Sequence, residues 1–236
     1  MNEIAGFASS LKGADLEKVR LDLAVEYAGL FLGLWGKPAH ASESYYLTEG
    51  QLIMQQPRDD MLKLYRAMGV EKAGEFKEPE DHIALELQFM AHLCHKTNAA
   101  LKDGNFKDAK KYLGVQRNFL DEHLGKWVPR LAFDILKSAR HEFYRAIAKI
   151  TKAYVDVDKE LVANLDENLT IPSGSDLPST KLHTQATSQK PARPSREDRV
   201  GSATSNVTVW LHRAVYTFKP ISIYIRRFNV PVQRLH

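Results

Sequence analysis

Apolar side chains that recur every three or four residues constrain the fold of this chain more than any other sequence feature. The clearest series lies between Leu131 and about Tyr154, and it comprises Leu136, Ala139, Phe143, Ile147, Ile150 and Tyr154. That spacing puts the side chains on one face of an α-helix. Similar series fill residues 15–165, and no long stretch there alternates with the period of two that marks a strand. The sequence therefore predicts an all-α fold, a multi-helix bundle large enough to bury a sizeable core.

Capping and breaking residues divide the bundle into predicted helices. These run from Asp15 to Gly36, Ser42 to Met54, Pro57 to Gly69, Pro79 to Leu101, Phe106 to Leu120, Leu131 to Tyr154 and Asp158 to Leu165. The helix that begins at Pro79 is apolar on most sides, as expected at the centre of a bundle. Its predicted inner face carries Ile83, Leu87, Met90, Cys94 and Leu101. Residues 122–129 interrupt the helical spacing and predict a break.

The sequence changes character at its C-terminal end. Residues 171–205 are rich in Ser, Thr, Pro, Lys and Arg and have little apolar periodicity, which predicts disorder. Further on, residues 207–211 and 221–225 alternate like strands. We therefore predict an all-helical domain over residues 1–170 and a basic, disordered or poorly packed extension over residues 171–236.

Charge is distributed as unevenly as composition. The formal net charge is +4, but the excess of Lys and Arg lies in the extension, while the helical domain has a small excess of Asp and Glu. The helical domain is therefore not expected to bind nucleic acid. Binding of nucleic acid through the basic extension stays open as an alternative.

The cysteine content and the hydropathy favour a cytoplasmic protein. The chain has one cysteine, Cys94, so it cannot form an internal disulfide, and a reducing compartment is expected. No apolar run reaches the roughly 20 residues that span a membrane, and residues 1–12 lack a secretory signal pattern. We expect no stable association with a membrane.

An unusually dense polar cluster stands where the central helix is predicted to begin. Pro79 suits the first helical position, and acidic residues in the first turn favour the helix dipole. The cluster has more charge than capping requires, and its members are Glu78, Pro79, Glu80, Asp81, His82 and Glu86. These side chains could form an anionic pocket for a cationic ligand such as an arginine-containing peptide. The alternative is a well-capped helix with solvated acids.

Aromatic residues near the predicted helix ends form a second candidate feature. They are Trp35, Tyr45, Tyr46 and Trp127. Such residues either fill the core or line a groove that accepts an apolar peptide segment. An acidic entrance beside an aromatic groove would suit a ligand with a basic end followed by an apolar stretch, as in a bacterial targeting peptide.

A metal- or nucleotide-dependent enzyme is the alternative from another functional class. It would use His82, Glu86, His92 and His95, of which the first two share a helix face. However, the sequence has no His-Glu-x-x-His motif, no Cys-x-x-Cys pair and no glycine-rich phosphate loop after a strand. Cys94 lies on the apolar face, where a cysteine acts as a small hydrophobic residue.

Four segments, in order, resemble the TorD/DmsD/NarJ family of redox-enzyme maturation chaperones. The segment Glu78 to Met90 resembles the family signature. The other three are residues 27–33, residues 38–47 with Tyr45-Tyr46-Leu47, and residues 119–129 with His123-Leu124 and Trp127-Val128-Pro129. The resemblance covers roughly residues 15–165, and nothing in residues 172–236 resembles the family.

The resemblance implies an all-helical chaperone that is not an enzyme and needs no cofactor, although some members have been associated with weak binding of guanine nucleotides such as GTP. Such proteins bind the twin-arginine signal peptide or the apo-form of a molybdopterin oxidoreductase catalytic subunit precursor. They delay its export until the cofactor is inserted. The implied binding residues are Asp81 and His82, with Glu78, Pro79, Glu80, Glu86, Tyr45, Tyr46, His123 and Trp127 beside them. A monomer or a domain-swapped dimer with its hinge before Pro79 is expected.

Overall fold

The computed structural model describes residues 2–74 and 76–171 and the backbone of residues 232–234. The α-helices are α1 (Asn2–Ser10), α2 (Leu16–Phe31), α3 (Glu43–Leu47), α4 (Gln56–Ala67), α5 (Ile83–Lys102), α6 (Phe106–Phe119), α7 (Gly125–Ser138) and α8 (Glu142–Asn168). A 3₁₀ turn spans Glu49–Gln51, a π-helical turn spans Leu120–Leu124, and the strands are β1 (Val70–Lys72) and β2 (Val232–Arg234). The predicted all-α bundle is confirmed.

Helices α5 to α8 enclose the main core. The largest fully buried apolar side chains of this region are Leu85, Phe89, Met90, Leu93, Phe119, Leu120, Leu124 and Trp127. The Phe89 ring meets the rings of Tyr65 at 4.9 Å and Phe119 at 5.3 Å, both edge-on. Aromatic pairs in that arrangement add to the stabilisation that burial of their apolar area provides. None of the helices among the described residues is long and apolar enough to cross a membrane.

The central helix begins four residues later than predicted, at Ile83 rather than Pro79. His82 is its N-cap, and the ring Nδ1 accepts a hydrogen bond from the Ala84 N–H. Asp81 does not occupy the first helical turn, because the chain before α5 pairs instead with the chain before α3. Capping preferences involve only residues close to the helix end, so they could not predict this pairing with a distant segment.

The predicted inner face of α5 is also displaced. Met90 and Cys94 are buried as predicted, but Ile83, Leu87 and Leu101 are only partly buried. Leu85, Glu86, Phe89 and Leu93 take the innermost positions instead. Since α5 is apolar on most sides, its sequence left the orientation open, and packing against Tyr65 and Phe119 decides it.

The long helix predicted from Leu131 to Tyr154 is two helices. The predicted interruption at residues 122–129 is only a π-helical turn, and α7 then continues through Pro129. The true break is at residues 139–141, where the buried Glu26 carboxylate of α2 accepts hydrogen bonds from the Arg140 and His141 N–H groups at 2.6 and 2.9 Å. The separate helix predicted from Asp158 to Leu165 is the end of α8.

Three further parts of the chain differ from the prediction or lie beyond what the structure describes. Helix α1 was not predicted, and it lies against α8 through contacts of Phe7 with the rings of His141 and Phe143. The helix predicted over residues 42–54 is limited to α3 and the 3₁₀ turn. The predicted strands 207–211 and 221–225 lie outside the described residues. Strand β2 pairs antiparallel with β1, with Val70 opposite Arg234. The division of the chain into two domains stays a prediction.

Candidate functional site

Two of the segments that carry predicted site residues lie side by side. A single antiparallel bridge joins Ser42, before α3, to His82, before α5. Within it the Glu43 N–H donates to the Asp81 carbonyl at 3.0 Å. Residues 38–47 and 78–90, which are far apart in sequence, therefore form one structural unit.

Asp81 lies at the centre of this unit and is completely buried. Its Oδ2 accepts hydrogen bonds from the Ser44 N–H at 2.8 Å and from the Ser44 hydroxyl at 2.5 Å. The Ser44 hydroxyl oxygen in turn accepts from the Gln55 N–H at 3.1 Å. Asp81 thus fixes the start of α3 and, through Ser44, the end of the loop that follows α3.

A second buried network joins α5 to α7 and α3. The Trp127 Nε1–H donates to Glu86 Oε2 at 2.9 Å, and both side chains are fully buried. Burial raises the pKa of Glu86 well above its usual range, and the neighbouring Glu43 and Asp81 carboxylates raise it further. Burial and these two carboxylates therefore favour the neutral form of the Glu86 carboxyl group. The other side of Glu43 meets His123, whose Nδ1 lies 2.9 and 3.1 Å from the two carboxylate oxygens.

Glu80 is paired within the protein rather than free. One carboxylate oxygen meets the Arg58 guanidinium at 2.6 Å, and the other meets the Lys72 ammonium at 3.0 Å. Burial alone would raise the pKa of Glu80, but its bonds to Lys72, its own backbone and Arg58 hold it below the usual value. The Tyr65 hydroxyl donates to the Glu80 carbonyl at 2.9 Å.

His82 is uncharged at neutral pH. Burial lowers the pKa of its imidazole to about 4. The ring meets Phe76 edge-on at 5.6 Å between centroids. A neutral His82 does not repel a cation that approaches this part of the surface.

The two tyrosines of α3 are buried and partnered. Tyr46 stacks on Trp127 at 5.7 Å between centroids, and its hydroxyl donates to Asp134 at 3.3 Å. Burial and the Asp134 carboxylate raise the pKa of Tyr46. Tyr45 packs against the His40 ring at 4.6 Å. Trp127 and the tyrosines are therefore part of the core of the unit.

Trp35 does not join the other aromatic residues. Its ring packs on Gly29 of α2, where an added Cβ would come within 2.2 Å of it. The Arg140 guanidinium covers the other side of the ring at 4.2 Å. The predicted aromatic set is thus divided between two places in the fold.

The exposed part of the unit has an acid and an apolar loop. Glu78 is exposed, Pro79 is partly buried, and the last residue of α3 and the loop after it expose apolar side chains. These are Leu47, Leu52, Ile53 and Met54, which are 38%, 56%, 41% and 56% exposed. Apolar side chains held in water by a fixed loop are candidates for contact with a ligand.

Sequence reasoning overlooked Glu43, Ser44, Arg58 and Tyr65 as residues of the site. Glu43 and Ser44 directly precede Tyr45 and Tyr46. Acids are rarely buried without a partner, so an acid next to residues that are predicted to be buried was the signal that could have identified Glu43. Arg58 and Tyr65 belong to α4, and nothing in their local sequence links them to Glu80.

The residues of the metal alternative do not form a metal-binding group. His82 caps α5, Glu86 is bonded to Trp127, and His95 is exposed. Among the described residues, no group of three or more His, Cys, Asp and Glu side chains is placed to hold a metal ion. The Cys94 thiol donates to Gln116 at 3.3 Å inside the bundle, and burial raises its pKa.

Comparisons with known proteins identify the family. A family profile described as nitrate reductase delta subunit matches residues 1–132. The chaperone protein TorD of Aliivibrio fischeri is 29% identical over 147 residues, which is 62% of this chain and 67% of the relative. TorD of Aliivibrio salmonicida is 31% identical over 149 residues, with the same shares. TorD of Photobacterium profundum is 31% identical over 142 residues, 60% of this chain and 64% of the relative.

No solved structure gives a significant match to the chain. The relatives are named as chaperones rather than enzymes, which agrees with the prediction of a non-catalytic protein. The predicted resemblance to the TorD/DmsD/NarJ family is confirmed, and the chain belongs to the nitrate reductase delta subunit family, whose matched relatives are TorD chaperones.

Proposed function

We propose that this protein is a cytoplasmic maturation chaperone for a molybdopterin oxidoreductase. It binds the twin-arginine signal peptide of the catalytic subunit precursor, or the apo-form of that subunit, and delays export until the cofactor is inserted. The observation that carries the proposal is the junction of residues 38–47 and 78–90 with α7 in one polar unit, which presents an acid and an apolar loop to solvent.

The acids of this unit have two different roles in the proposal. The buried carboxylates of Glu43, Asp81 and Glu86 hold α3, α5 and α7 together. The exposed Glu78 is the carboxylate that is accessible to a guanidinium group, for which a carboxylate offers two parallel acceptors. Asp81 and His82 then act as positioning residues, because Asp81 is buried and His82 is neutral.

The apolar loop supplies the other half of the surface. In a twin-arginine leader the arginines precede an apolar segment of about 7–15 residues. Leu52, Ile53 and Met54 lie next to the Asp81–Ser44 pair through the Gln55–Ser44 bond. A leader bound with its arginines at Glu78 can place its apolar segment on this loop and remove it from water.

Titration calorimetry with a synthetic leader peptide tests this assignment. The probe has two consecutive arginines followed by an apolar stretch, and its control has two lysines, which cannot make the bidentate contact. We expect Glu78→Gln to weaken binding about 2- to 10-fold, as befits one exposed ion pair, and high salt to weaken it as well. The double variant Leu52→Ser/Ile53→Ser should weaken the binding of both peptides. Glu122→Gln is the control, because Glu122 is exposed and lies in the π-helical turn that precedes α7.

Equal affinity of the wild type and both variants for the twin-arginine peptide would refute the assignment of this surface as the binding site. The combined change Asp81→Ala and His82→Ala should also reduce binding, but through loss of the Ser44 contacts. Circular dichroism and melting temperature must therefore accompany that variant. Binding of guanine nucleotide is a separate expectation, which titration with GTP would test.

A further inference from the structure

The small sheet holds part of the C-terminal extension beside the segment that leads into the candidate site. Strand β2 pairs antiparallel with β1, and Val232 lies opposite Lys72. Strand β1 is itself fixed to the bundle, because Val70 is buried in the core and α4 directly precedes the strand. The backbone of residues 232–234 is therefore attached to a rigid part of the helical domain.

The position and direction of β2 point towards Glu78. The Lys72 ammonium donates to the Glu78 carbonyl at 2.7 Å, so Glu78 lies within one lysine side chain of β1. Because the strands are antiparallel and Val232 pairs with Lys72, the chain enters β2 at the end of β1 from which the chain continues to Glu78. The part of the extension that directly precedes β2 therefore joins the sheet on the side of the candidate site.

That part of the extension has the order of features that the proposed function assigns to the leader peptide. Arg226-Arg227 is the only pair of consecutive arginines in the chain, and the mainly apolar residues 228–232 follow it directly. Five residues lead from Arg227 to Val232, and an extended segment of that length spans up to about 18 Å. Arginines that are tethered to β2 by this segment can reach the carboxylate of Glu78.

The charges near Glu78 favour a basic occupant. The segment from β1 to Glu80 contains four glutamates and two lysines. Lys72 and the Arg58 guanidinium both pair with Glu80, at 3.0 and 2.6 Å, and Lys77 donates to a backbone carbonyl at 3.0 Å. The nearby cations are thus held by other acceptors, and the exposed Glu78 carboxylate stays accessible. The extension supplies the opposite charge, because the excess of Lys and Arg in the chain lies there.

We infer that β2 anchors the chain's own Arg226-Arg227 segment at Glu78, where it competes with the leader peptide of the client. The inference rests on the proposed function for the identity of the ligand that is displaced. A short tether gives the segment an effective concentration on the order of mM, so a weak contact is enough to keep it docked. The leader has a longer apolar segment, which also covers the loop after α3, and it therefore displaces the tethered segment.

Disruption of β2 in the full chain tests the anchor. The double variant Val232→Pro/Gln233→Pro removes two adjacent backbone N–H groups, one of which faces β1 because successive groups alternate in an antiparallel ladder. In titration calorimetry with the twin-arginine leader peptide, we expect this variant to bind about 2- to 10-fold more tightly than the wild type, since it has lost its competitor. Ser188→Pro/Gln189→Pro is the matched control elsewhere in the extension, and its affinity should equal that of the wild type.

Replacement of the two arginines tests the occupant. Arg226→Gln/Arg227→Gln should tighten binding of the leader to a similar extent. Arg196→Gln/Arg199→Gln removes the same charge from another part of the extension and should leave the affinity unchanged. Arg226→Lys/Arg227→Lys keeps the charge but not the bidentate geometry, so its affinity should lie between those of the wild type and the glutamine variant. A leader that binds the wild type and both test variants equally well would overturn the inference and leave the proposed function intact.

Disulfide trapping measures the docking without any leader peptide. A full chain with Glu78→Cys and Arg227→Cys should cross-link internally under mild oxidation faster than one with Glu78→Cys and Arg199→Cys. Adding Val232→Pro/Gln233→Pro should remove this difference, and the native Cys94 is buried. Equal rates in the two cysteine pairs would overturn the docking. A leader that binds none of the proteins, combined with the expected cross-linking, would instead refute the proposed function and support the docking of the extension.

Discussion

Replacement of Glu86 by Gln tests whether the buried carboxyl group of α5 is neutral in the folded protein. Glu86 accepts a hydrogen bond from the Trp127 Nε1–H at 2.9 Å and lies against Glu43 and Asp81. A glutamine can reproduce the neutral acid, because its carbonyl oxygen can accept from Trp127 and its amide can donate to Glu43. We therefore expect Glu86→Gln to change the free energy of unfolding by less than about 1 kcal/mol at pH 5.

The pH dependence gives the sharper result. Burial and the adjacent carboxylates raise the folded-state pKa of Glu86 above its usual value of 4.5. Above that value the folded wild type holds a proton that the unfolded chain has lost, so its stability falls by up to about 1.4 kcal/mol per pH unit from this group. Glutamine does not titrate, so the stability of the variant lacks this dependence on pH. Between pH 5 and 7 the variant should gain up to about 3 kcal/mol relative to the wild type.

Urea unfolding followed by circular dichroism at pH 5, 6 and 7 measures this difference, and the contributions of titrating groups that do not contact Glu86 cancel between the two proteins. Glu49→Gln is the control, because Glu49 is exposed, and its difference from wild type should not change with pH. A flat difference for Glu86→Gln, or a loss of more than about 2 kcal/mol at pH 7, would mean that the folded protein holds Glu86 as an anion.

Three other substitutions have expected effects of known sign. Burial raises the pKa of Asp158 from 3.8 to about 6, so the charged form is costly, and Asp158→Asn should raise the free energy of unfolding by about 1.5 kcal/mol more at pH 8 than at pH 5. Burial lowers the pKa of His82 to about 4, so stability present above pH 6.5 is lost as the pH falls towards 4; His82→Asn, which can still cap α5, should reduce that loss in acid-induced unfolding. Gly29→Ala should destabilise by about 1–3 kcal/mol and shift the tryptophan fluorescence, because its Cβ would come within 2.2 Å of the Trp35 ring; an unchanged spectrum would contradict that packing.

Local sequence patterns predicted most of the helices of the bundle together with some of their caps and turns. The Asp15 side chain caps α2 by accepting from the Glu17 and Lys18 N–H groups, as predicted for that position. The turn before α6 has Gly104 at a positive φ of 67°, where glycine is favoured. Spacing, caps and turns act within a few residues, so they can be read from the chain directly.

The same patterns could not determine how the helices end against one another. The break before α8 depends on Glu26, which lies 114 residues from Arg140 in the chain. The start of α5 depends on pairing with the segment before α3. In both places a backbone group is satisfied by a distant partner, and this outweighs the local preference of the sequence.

The candidate site shows the same division. Its residue types and family segments were evident in the sequence, including Glu78, Asp81, Tyr46 and Trp127. Only the tertiary structure decided that Asp81 and Trp127 are buried and that Glu78 is exposed. The charge state of a carboxyl group depends on its burial and on neighbours that are 37 to 80 residues away in the chain. The sequence alone therefore determined which acids are present, and the tertiary structure decided which of them hold the fold and which can meet a ligand.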